Sequence, residues 1–179
     1  SYRRFVSMYG SIVMGVPREH FEAILKHKKA EVGVTHETHL DARHLRELVA
    51  SFKTLIKEET KKEFPDEPLE QLSLAVNAVF SSWFGARAVT YRRLYGIPDS
   101  WGTAINVVAM VFGNMGETSG TGVAFTRDPA SGDKNFFGEC LMNAQGEDVV
   151  AGIRTPLPVT ALAKNVPEAY KELEHTYKR

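Results

Sequence analysis

Glycine and hydroxyl-bearing residues are concentrated in the segment Gly113-Asn-Met-Gly-Glu-Thr-Ser-Gly-Thr-Gly-Val-Ala-Phe-Thr-Arg-Asp-Pro129. Its small and polar part lies between two apolar runs, Val107–Phe112 and Val123–Phe125. That composition predicts a strand, a tight polar loop and a second strand. A loop of this kind can bring backbone N–H groups and hydroxyls to one point, and a polyphosphate is the usual ligand of such an arrangement.

The composition of the loop leaves two interpretations open. It is not a Walker A motif, because G-x-x-x-x-G-K-[ST] is absent and the loop contains no lysine. It is not a Rossmann fingerprint, because a strand rather than a helix is predicted after Gly122. A long hairpin connection and a phosphate-binding loop both remain. The hydroxyls of Ser119 and Thr121 and the unobstructed amides of Gly120 and Gly122 favour phosphate.

Hydrophobic periodicity predicts helices over roughly the first 95 residues. Apolar residues recur there at three- and four-residue steps, which places them on one face of each helix. Five helices are expected, with Gly33 able to end the second and Asp41 well suited to cap the third. We therefore assign residues 1–100 to a helical subdomain.

The period changes near Trp101. Strands are predicted at Thr103–Phe112, at Val123–Thr126 and at Asn135–Asn143, and the last two are expected to form a hairpin. A turn at 145–152, a proline-bearing loop at 155–158 and a last helix from Pro167 complete the sequence. The fold class expected is α+β, with a small, mainly antiparallel sheet in a β-rich nucleotide-binding subdomain over residues 101–179.

Bulk composition narrows the class of partner. Lysine plus arginine and aspartate plus glutamate both number 22, so the net charge is zero and neither nucleic acid nor a membrane surface is an expected partner. No apolar run approaches the roughly 20 residues that span a bilayer. Cys140 is the single cysteine, which excludes an internal disulfide and favours a reducing compartment.

Four other groups are candidates for chemistry, each with a simpler structural interpretation. Glu147-Asp148 can hold Mg²⁺ or a ribose, although a solvated turn is the commoner use of such a pair. Arg3-Arg4 and Arg127 can bind phosphate, although surface arginines are common. The histidines His36, His39 and His44 lack the H-E-x-x-H spacing and a clear third zinc ligand. Cys140 has apolar neighbours and is expected to be a packed core thiol.

Four segments, in order along the sequence, resemble the pyruvate, phosphate dikinase family. They are Trp101-Gly-Thr-Ala, Val111-Phe-Gly-Asn, the run from Gly116 to Pro129, and Asn143-Ala-Gln-Gly-Glu-Asp-Val-Val-Ala-Gly-Ile-Arg-Thr-Pro156. The resemblance extends more loosely through Ser1-Tyr-Arg-Arg-Phe5 and the helical half. It implies an ATP-grasp-like nucleotide-binding domain.

The resemblance also implies a reaction. Family members interconvert ATP, phosphate and pyruvate with AMP, pyrophosphate and phosphoenolpyruvate. The nucleotide domain transfers a pyrophosphoryl group from ATP to a histidine on a swivelling domain, and the terminal phosphoryl then passes to phosphate. ATP and Mg²⁺ are the implied cofactors, with ammonium or potassium as a monovalent cation. A pyruvate-binding barrel is expected to make the full-length enzyme a homodimer.

Carried over position by position, the resemblance implies roles for ten residues. The loop over the triphosphate matches Ser119, Gly120, Thr121, Gly122 and Val123. Val107 and Val108 match strand positions beside the adenine. Glu147 and Asp148 match an acidic pair near the ribose, and Arg4 matches a basic residue close to the phosphates. None of these is expected to be a metal ligand or a catalytic residue in this sequence.

The resemblance places other ligands outside this sequence. A glycine-lysine segment is expected before Ser1, and the Mg²⁺ carboxylates and the phosphohistidine segment after Arg179. We therefore expect the chain to be an internal part of the enzyme that is inactive in turnover by itself. Two alternatives remain: the nucleotide domain of phosphoenolpyruvate synthase or a glucan, water dikinase, and a non-catalytic nucleotide-binding or regulatory module. The expected compartment is the cytoplasm or an organelle such as a plastid or glycosome.

Overall fold

The structure, a computed structural model, describes residues 1–150, 152 and 154–179, apart from the side chain of Thr38. Ala151 and Ile153, which belong to the quoted segment 143–156, lie outside the described residues. The chain divides into two compact units, residues 1–106 and 107–179. The first is helical and the second contains a three-stranded antiparallel sheet, so the α+β prediction is confirmed.

The first unit consists of helices whose positions follow the sequence periodicity. Its helices are α1 (Tyr2–Ile12), α2 (Arg18–Val32), α3 (Ala42–Thr60), α4 (Pro68–Ser82) and α5 (Ala86–Tyr95), with a 3₁₀ helix at Glu37–His39.

The core of the first unit forms where α1 and α2 pack on α3. Leu48, Phe52 and Ile56 on α3 are fully buried, and burial of each such side chain contributes about 2 kcal/mol. The rings of Phe21 and Phe52 meet edge to face at 5.1 Å. Leu40, directly after the 3₁₀ helix, joins this core and fixes that segment against it.

Asp41 caps α3 as predicted. Its Oδ1 accepts a hydrogen bond from the backbone N–H of His44 at 2.9 Å. This bond holds the pKa of Asp41 below its usual value, with the charges of His44 and Arg43 acting in the same direction and partial burial opposing them. The carboxylate therefore stabilises the folded helix in its charged form.

Replacing Asp41 by alanine is expected to lower the melting temperature at pH 7, because the N–H of His44 loses its partner. Asp41→Asn keeps an acceptor and should recover most of the loss. A depressed pKa contributes stability above the unfolded value of about 3.9, and this contribution disappears as pH falls through the lower folded value. The difference between wild type and Asp41→Asn in thermal melts should thus persist from pH 7 to 5 and vanish in stronger acid. A constant difference at all pH values would contradict the charge effect.

The second unit is built on a hairpin. Strands β1 (Gly120–Phe125) and β2 (Phe137–Met142) pair antiparallel from Gly120 opposite Met142 to Phe125 opposite Phe137. A short β3 (Leu157–Pro158) pairs with the other edge of β2. The described helices of this unit are α6 (Gly146–Val150), α7 (Leu162–Asn165) and α8 (Pro167–Tyr177), with a 3₁₀ helix at Val159–Ala161.

Several boundaries in this unit differ from prediction. The strand predicted at Thr103–Phe112 is wrong: these residues form no strand in the described structure. A β-branched run needs a partner backbone to become a strand, and no described segment supplies one. The 145–152 turn contains α6, and the proline-bearing loop contributes β3. The hairpin is confirmed, but β1 begins at Gly120, inside the segment predicted as loop.

Candidate functional site

The part of the glycine-rich segment that remains a loop, residues 113–119, is closed by the Ser119 side chain. Ser119 Oγ accepts from the backbone N–H of Met115 at 2.7 Å and lies 2.9 Å from the Gly113 carbonyl and 2.8 Å from the Gly116 carbonyl, to which it can donate. The hydroxyl is therefore engaged in shaping the loop. The sequence indicated a polar role for Ser119, but not that its partners lie within the loop.

The end of β2 anchors the same loop from outside. The backbone N–H groups of Asn143 and Ala144 donate to the carbonyls of Ser119 at 2.7 Å and Gly113 at 2.9 Å. A side chain on Gly113 would clash with the Ala144 and Gly120 carbonyls. These hydrogen bonds thus hold the loop in a defined position directly before β1.

Strand β1 contains the remaining residues matched to the triphosphate loop. In the described sheet the strand order is β1-β2-β3, so β1 is an edge and alternate backbone N–H groups point away from β2. Within the described part of the chain, the Thr121 hydroxyl has no hydrogen-bond partner. Gly120, Thr121, Gly122 and Val123 therefore offer an open backbone edge and one hydroxyl on a rigid strand rather than on a flexible loop.

A cavity of about 360 Å³ lies along β1. The strand borders it from Gly120 to Ala124, and Glu139 and Cys140 of β2 form part of its wall. Apolar side chains from the 3₁₀ helix and from α7 and α8, such as Val159 and Leu162, close the other side. Its volume falls in the usual range for small-molecule sites. Sequence reasoning missed this cavity, because α7 was not predicted.

The acidic pair belongs to α6, whose first residue lies near Thr121. A Cβ added to Gly146 would lie 3.9 Å from Thr121 Oγ1. Asp148 is only 9% exposed, and its carboxylate accepts from the backbone N–H of Gln145 at 2.9 Å. Glu147 is exposed. The two carboxylates therefore differ: Asp148 stabilises the start of α6, whereas Glu147 faces solvent next to β1.

Arg4 belongs to the first unit, and its guanidinium is paired with an acidic side chain. Its Nε donates to Glu37 Oε1 at 3.1 Å, and its Nη2 donates to the same oxygen at shorter range. Arg3 Nη2 donates to the other oxygen, Oε2, at 2.6 Å. Sequence patterns did not predict this arrangement, since Glu37 lies 33 residues from Arg4.

Val107 and Val108 are the first residues of the second unit and are 73% and 78% exposed. They lie outside any described strand, which corrects their predicted placement on one.

The other residues that the sequence singled out make contacts within the fold. Arg127 donates to the Gly132 carbonyl at 3.0 Å within the hairpin connection. Cys140 is buried, and burial raises the pKa of its thiol. The rings of His36 and His39 meet edge to face at 5.9 Å. Across the residues that the structure describes, no three histidine, cysteine or acidic side chains come together as a metal-binding group.

The model of one protein family, described as "Pyruvate phosphate dikinase, AMP/ATP-binding domain", matches residues 23–176 of the sequence. The chain belongs to this family. The match covers all the predicted site residues except Arg4, which precedes it.

Individual relatives agree with the family match. The chain is 57% identical over 173 residues to a pyruvate, phosphate dikinase of Clostridium symbiosum, covering 96% of the chain and 20% of the relative. It is 51% identical over 186 residues to that of Rhizobium meliloti (strain 1021), covering 97% of the chain and 21% of the relative. It is 53% identical over 173 residues to a chloroplastic one of Flaveria trinervia, covering 97% of the chain and 18% of the relative. The chain thus spans about a fifth of the length of these relatives.

None of the helices in the described part of the chain combines the length and apolar character that a membrane-spanning helix needs.

Proposed function

We propose that the chain is the ATP-handling part of a pyruvate, phosphate dikinase. In the full-length enzyme it binds ATP so that a pyrophosphoryl group passes to a histidine on another domain and the terminal phosphoryl then passes to phosphate. The products of this half-reaction are AMP, pyrophosphate and the phosphohistidine, which goes on to convert pyruvate to phosphoenolpyruvate. We expect the chain by itself to bind ATP weakly and to be inactive in turnover.

The observation that carries this proposal is the coincidence of three features on Gly120–Val123. The strand has an open backbone edge, the Thr121 hydroxyl is unpaired within the described residues, and the cavity of about 360 Å³ runs along it. Amides and hydroxyls are fixed dipoles that stabilise phosphate charge without reorganising. The largely apolar cavity beside them suits a ligand with one flat apolar part and one anionic part, as in a nucleoside triphosphate.

The residues take separate roles in this proposal. Thr121 and the β1 amides hold the phosphates, and the Ser119 hydroxyl holds the loop in the shape that presents them. Glu147 faces the ribose, while Asp148 supports it by fixing the start of α6. Val107 and Val108 cover the base. Arg4, through its match to the family, is proposed to bind phosphate, because phosphoryl transfer requires charge neutralisation more than covalent help from the protein.

Mg²⁺ is proposed to enter with ATP, but the described residues do not fit a metal site. Asp148 accepts from the Gln145 amide, and among the described residues no three histidine, cysteine or acidic side chains come together as a metal-binding group. We therefore propose that the protein ligands of Mg²⁺, like those of the monovalent cation, lie elsewhere in the full-length enzyme.

The proposal is tested by the acceptor requirement of the full-length protein. We expect pyrophosphate to form, and AMP to form beyond one equivalent per enzyme, only when inorganic phosphate is present, with phosphoenolpyruvate formed from pyruvate in equal amount to the pyrophosphate. Chromatographic quantitation of ATP, AMP, inorganic phosphate and pyrophosphate checks this expectation. AMP formation with water as acceptor would instead show a phosphoenolpyruvate synthase or glucan, water dikinase. Nucleotide binding without any turnover would show a regulatory module.

A further inference from the structure

Asn143, the residue directly after β2, has an uncommon backbone conformation. Its φ is 47°, and only one other non-glycine residue in the described part of the chain, Lys61, has a positive φ. Glycine adopts this conformation freely, whereas an asparagine has a steric cost from its Cβ, although a smaller one than most residues have. An asparagine at such a position indicates that its side chain has a role that glycine could not fill.

The side chain and the backbone of Asn143 both hold the glycine-rich loop that precedes β1. Its Oδ1 accepts a hydrogen bond from the backbone N–H of Gly116 at 3.3 Å, and its own N–H donates to the Ser119 carbonyl at 2.7 Å. The N–H of Ala144 donates to the Gly113 carbonyl at 2.9 Å. The end of β2 therefore holds the loop at its first, middle and last residues.

The loop held in this way borders the cavity beside β1. Thr118 lies between the two residues that Asn143 holds, and it forms part of the cavity lining. The middle of the loop has a conformation that glycine adopts readily, since Gly116 has a φ of 118°. Of the three hydrogen bonds that hold the loop, the one to Gly116 depends on a side chain. Ordering the loop before a ligand arrives lowers the entropy cost of binding.

We propose that Asn143 is a positioning residue that holds the loop 113–119 against the nucleotide cavity. This inference rests on the proposed ATP-binding function and adds a residue to it. Asn143 acts through the loop rather than by touching the nucleotide or the reacting atoms. All the residues involved belong to the second unit, so the site is contained within it.

The test uses Asn143→Gly in the full-length enzyme. The substitution removes Oδ1, keeps the backbone bond to Ser119 and suits the φ of this position. We expect the Kd for α,β-methylene-ATP, whose α–β bridge cannot be cleaved, to rise about fivefold in calorimetry, as for the loss of one neutral hydrogen bond. The limiting rate of AMP formation in a single turnover at saturating ATP should change less than about twofold, since the lost binding is shared by ground and transition states. Hydrogen exchange of the 113–119 peptide should become faster.

Lys61→Gly is the matched control. It also replaces a non-glycine residue of positive φ, here 60°, by glycine, but Lys61 ends α3 in the first unit. Its Kd for the analogue and its exchange at 113–119 should equal those of the wild type. If both variants bind the analogue as the wild type does, whatever their melting temperatures, Asn143 is a structural residue and the positioning role fails.

The remaining outcomes are also decisive. Tighter binding by Asn143→Gly would show that Oδ1 competes with the ligand for the Gly116 amide, which overturns the positioning role. Weaker binding with unchanged exchange at 113–119 would also overturn it, because the effect would not act through the loop. If the wild-type enzyme does not bind the analogue, the proposed function itself fails; if it binds and Asn143→Gly binds equally well, the positioning role alone fails.

Discussion

Gly122→Val is expected to open the β1–β2 hairpin and to destabilise the second unit by about 3 kcal/mol. A Cβ at this position would lie 2.5 Å from the Glu139 carbonyl oxygen and 3.2 Å from Cys140 Cβ. The obstructing atoms belong largely to the backbone of β2 or lie next to it, so they cannot rotate away as a flexible side chain would. Cys140 is buried, so displacing β2 also disturbs the packing of its side chain.

Hydrogen exchange of the chain, followed residue by residue, measures this effect where it occurs. Amides of β1 and β2 should lose protection, while those of α3 in the first unit keep theirs. Gly102→Val is the matched control, since a Cβ there would meet no atom within 4 Å. Equal protection of the hairpin in both variants would show that the hairpin accommodates the added side chain without opening, and would refute the packing argument.

Gly122 is also needed for the packing of the two strands. The sequence predicts that Gly120 and Gly122 provide unobstructed amides for a phosphate. The structure gives Gly122 a second reason, the close approach of β2, and a variant at that position cannot distinguish ligand binding from folding. The Thr121 side chain has no such conflict, since within the described residues its hydroxyl bonds to nothing.

Local interactions were predictable from the sequence. The cap of α3 depends on Asp41 and His44, three residues apart, and the helical periodicity of the first unit depends on neighbouring turns. The hairpin could also be predicted, because a turn-rich connection separates two apolar runs. These features require no knowledge of distant parts of the chain.

Non-local pairing explains what could not be predicted. Thr103–Phe112 has the composition of a strand, but pairing depends on a partner that no pattern within the run specifies. The hydrogen bonds from Arg4 to Glu37 join segments that are far apart in sequence. Asp148 was equally ambiguous, since only the fold shows that it turns inward to the Gln145 amide while Glu147 remains exposed. The sequence therefore named the candidate residues, and the structure shows which of their side chains are buried or hydrogen-bonded within the fold.

Thr121→Val in the full-length enzyme is expected to slow the AMP-forming half-reaction roughly ten- to a hundredfold. Valine keeps the β-branched shape that suits β1, so the substitution removes the hydroxyl with little effect on the strand. The estimate corresponds to one hydrogen bond to a charged group, about 1.5–3 kcal/mol. Rapid-quench measurement of AMP formed from ATP and phosphate gives the rate. Exchange between pyruvate and phosphoenolpyruvate, which needs no nucleotide in the proposed mechanism, should proceed at the wild-type rate.

Thr126→Val provides the comparison, because Thr126 is an exposed threonine just beyond the opposite end of β1. If the Thr121 hydroxyl contacts phosphate, only the Thr121 variant loses AMP formation, and both variants melt at similar temperatures. Equal slowing of AMP formation and of pyruvate–phosphoenolpyruvate exchange by Thr121→Val would mean that the substitution acts on the whole enzyme. The phosphate site would then not include the Thr121 hydroxyl. Neither neighbour offers an equally clean test, because the Ser119 hydroxyl is already used within the loop and a variant of Gly122 disrupts the hairpin itself.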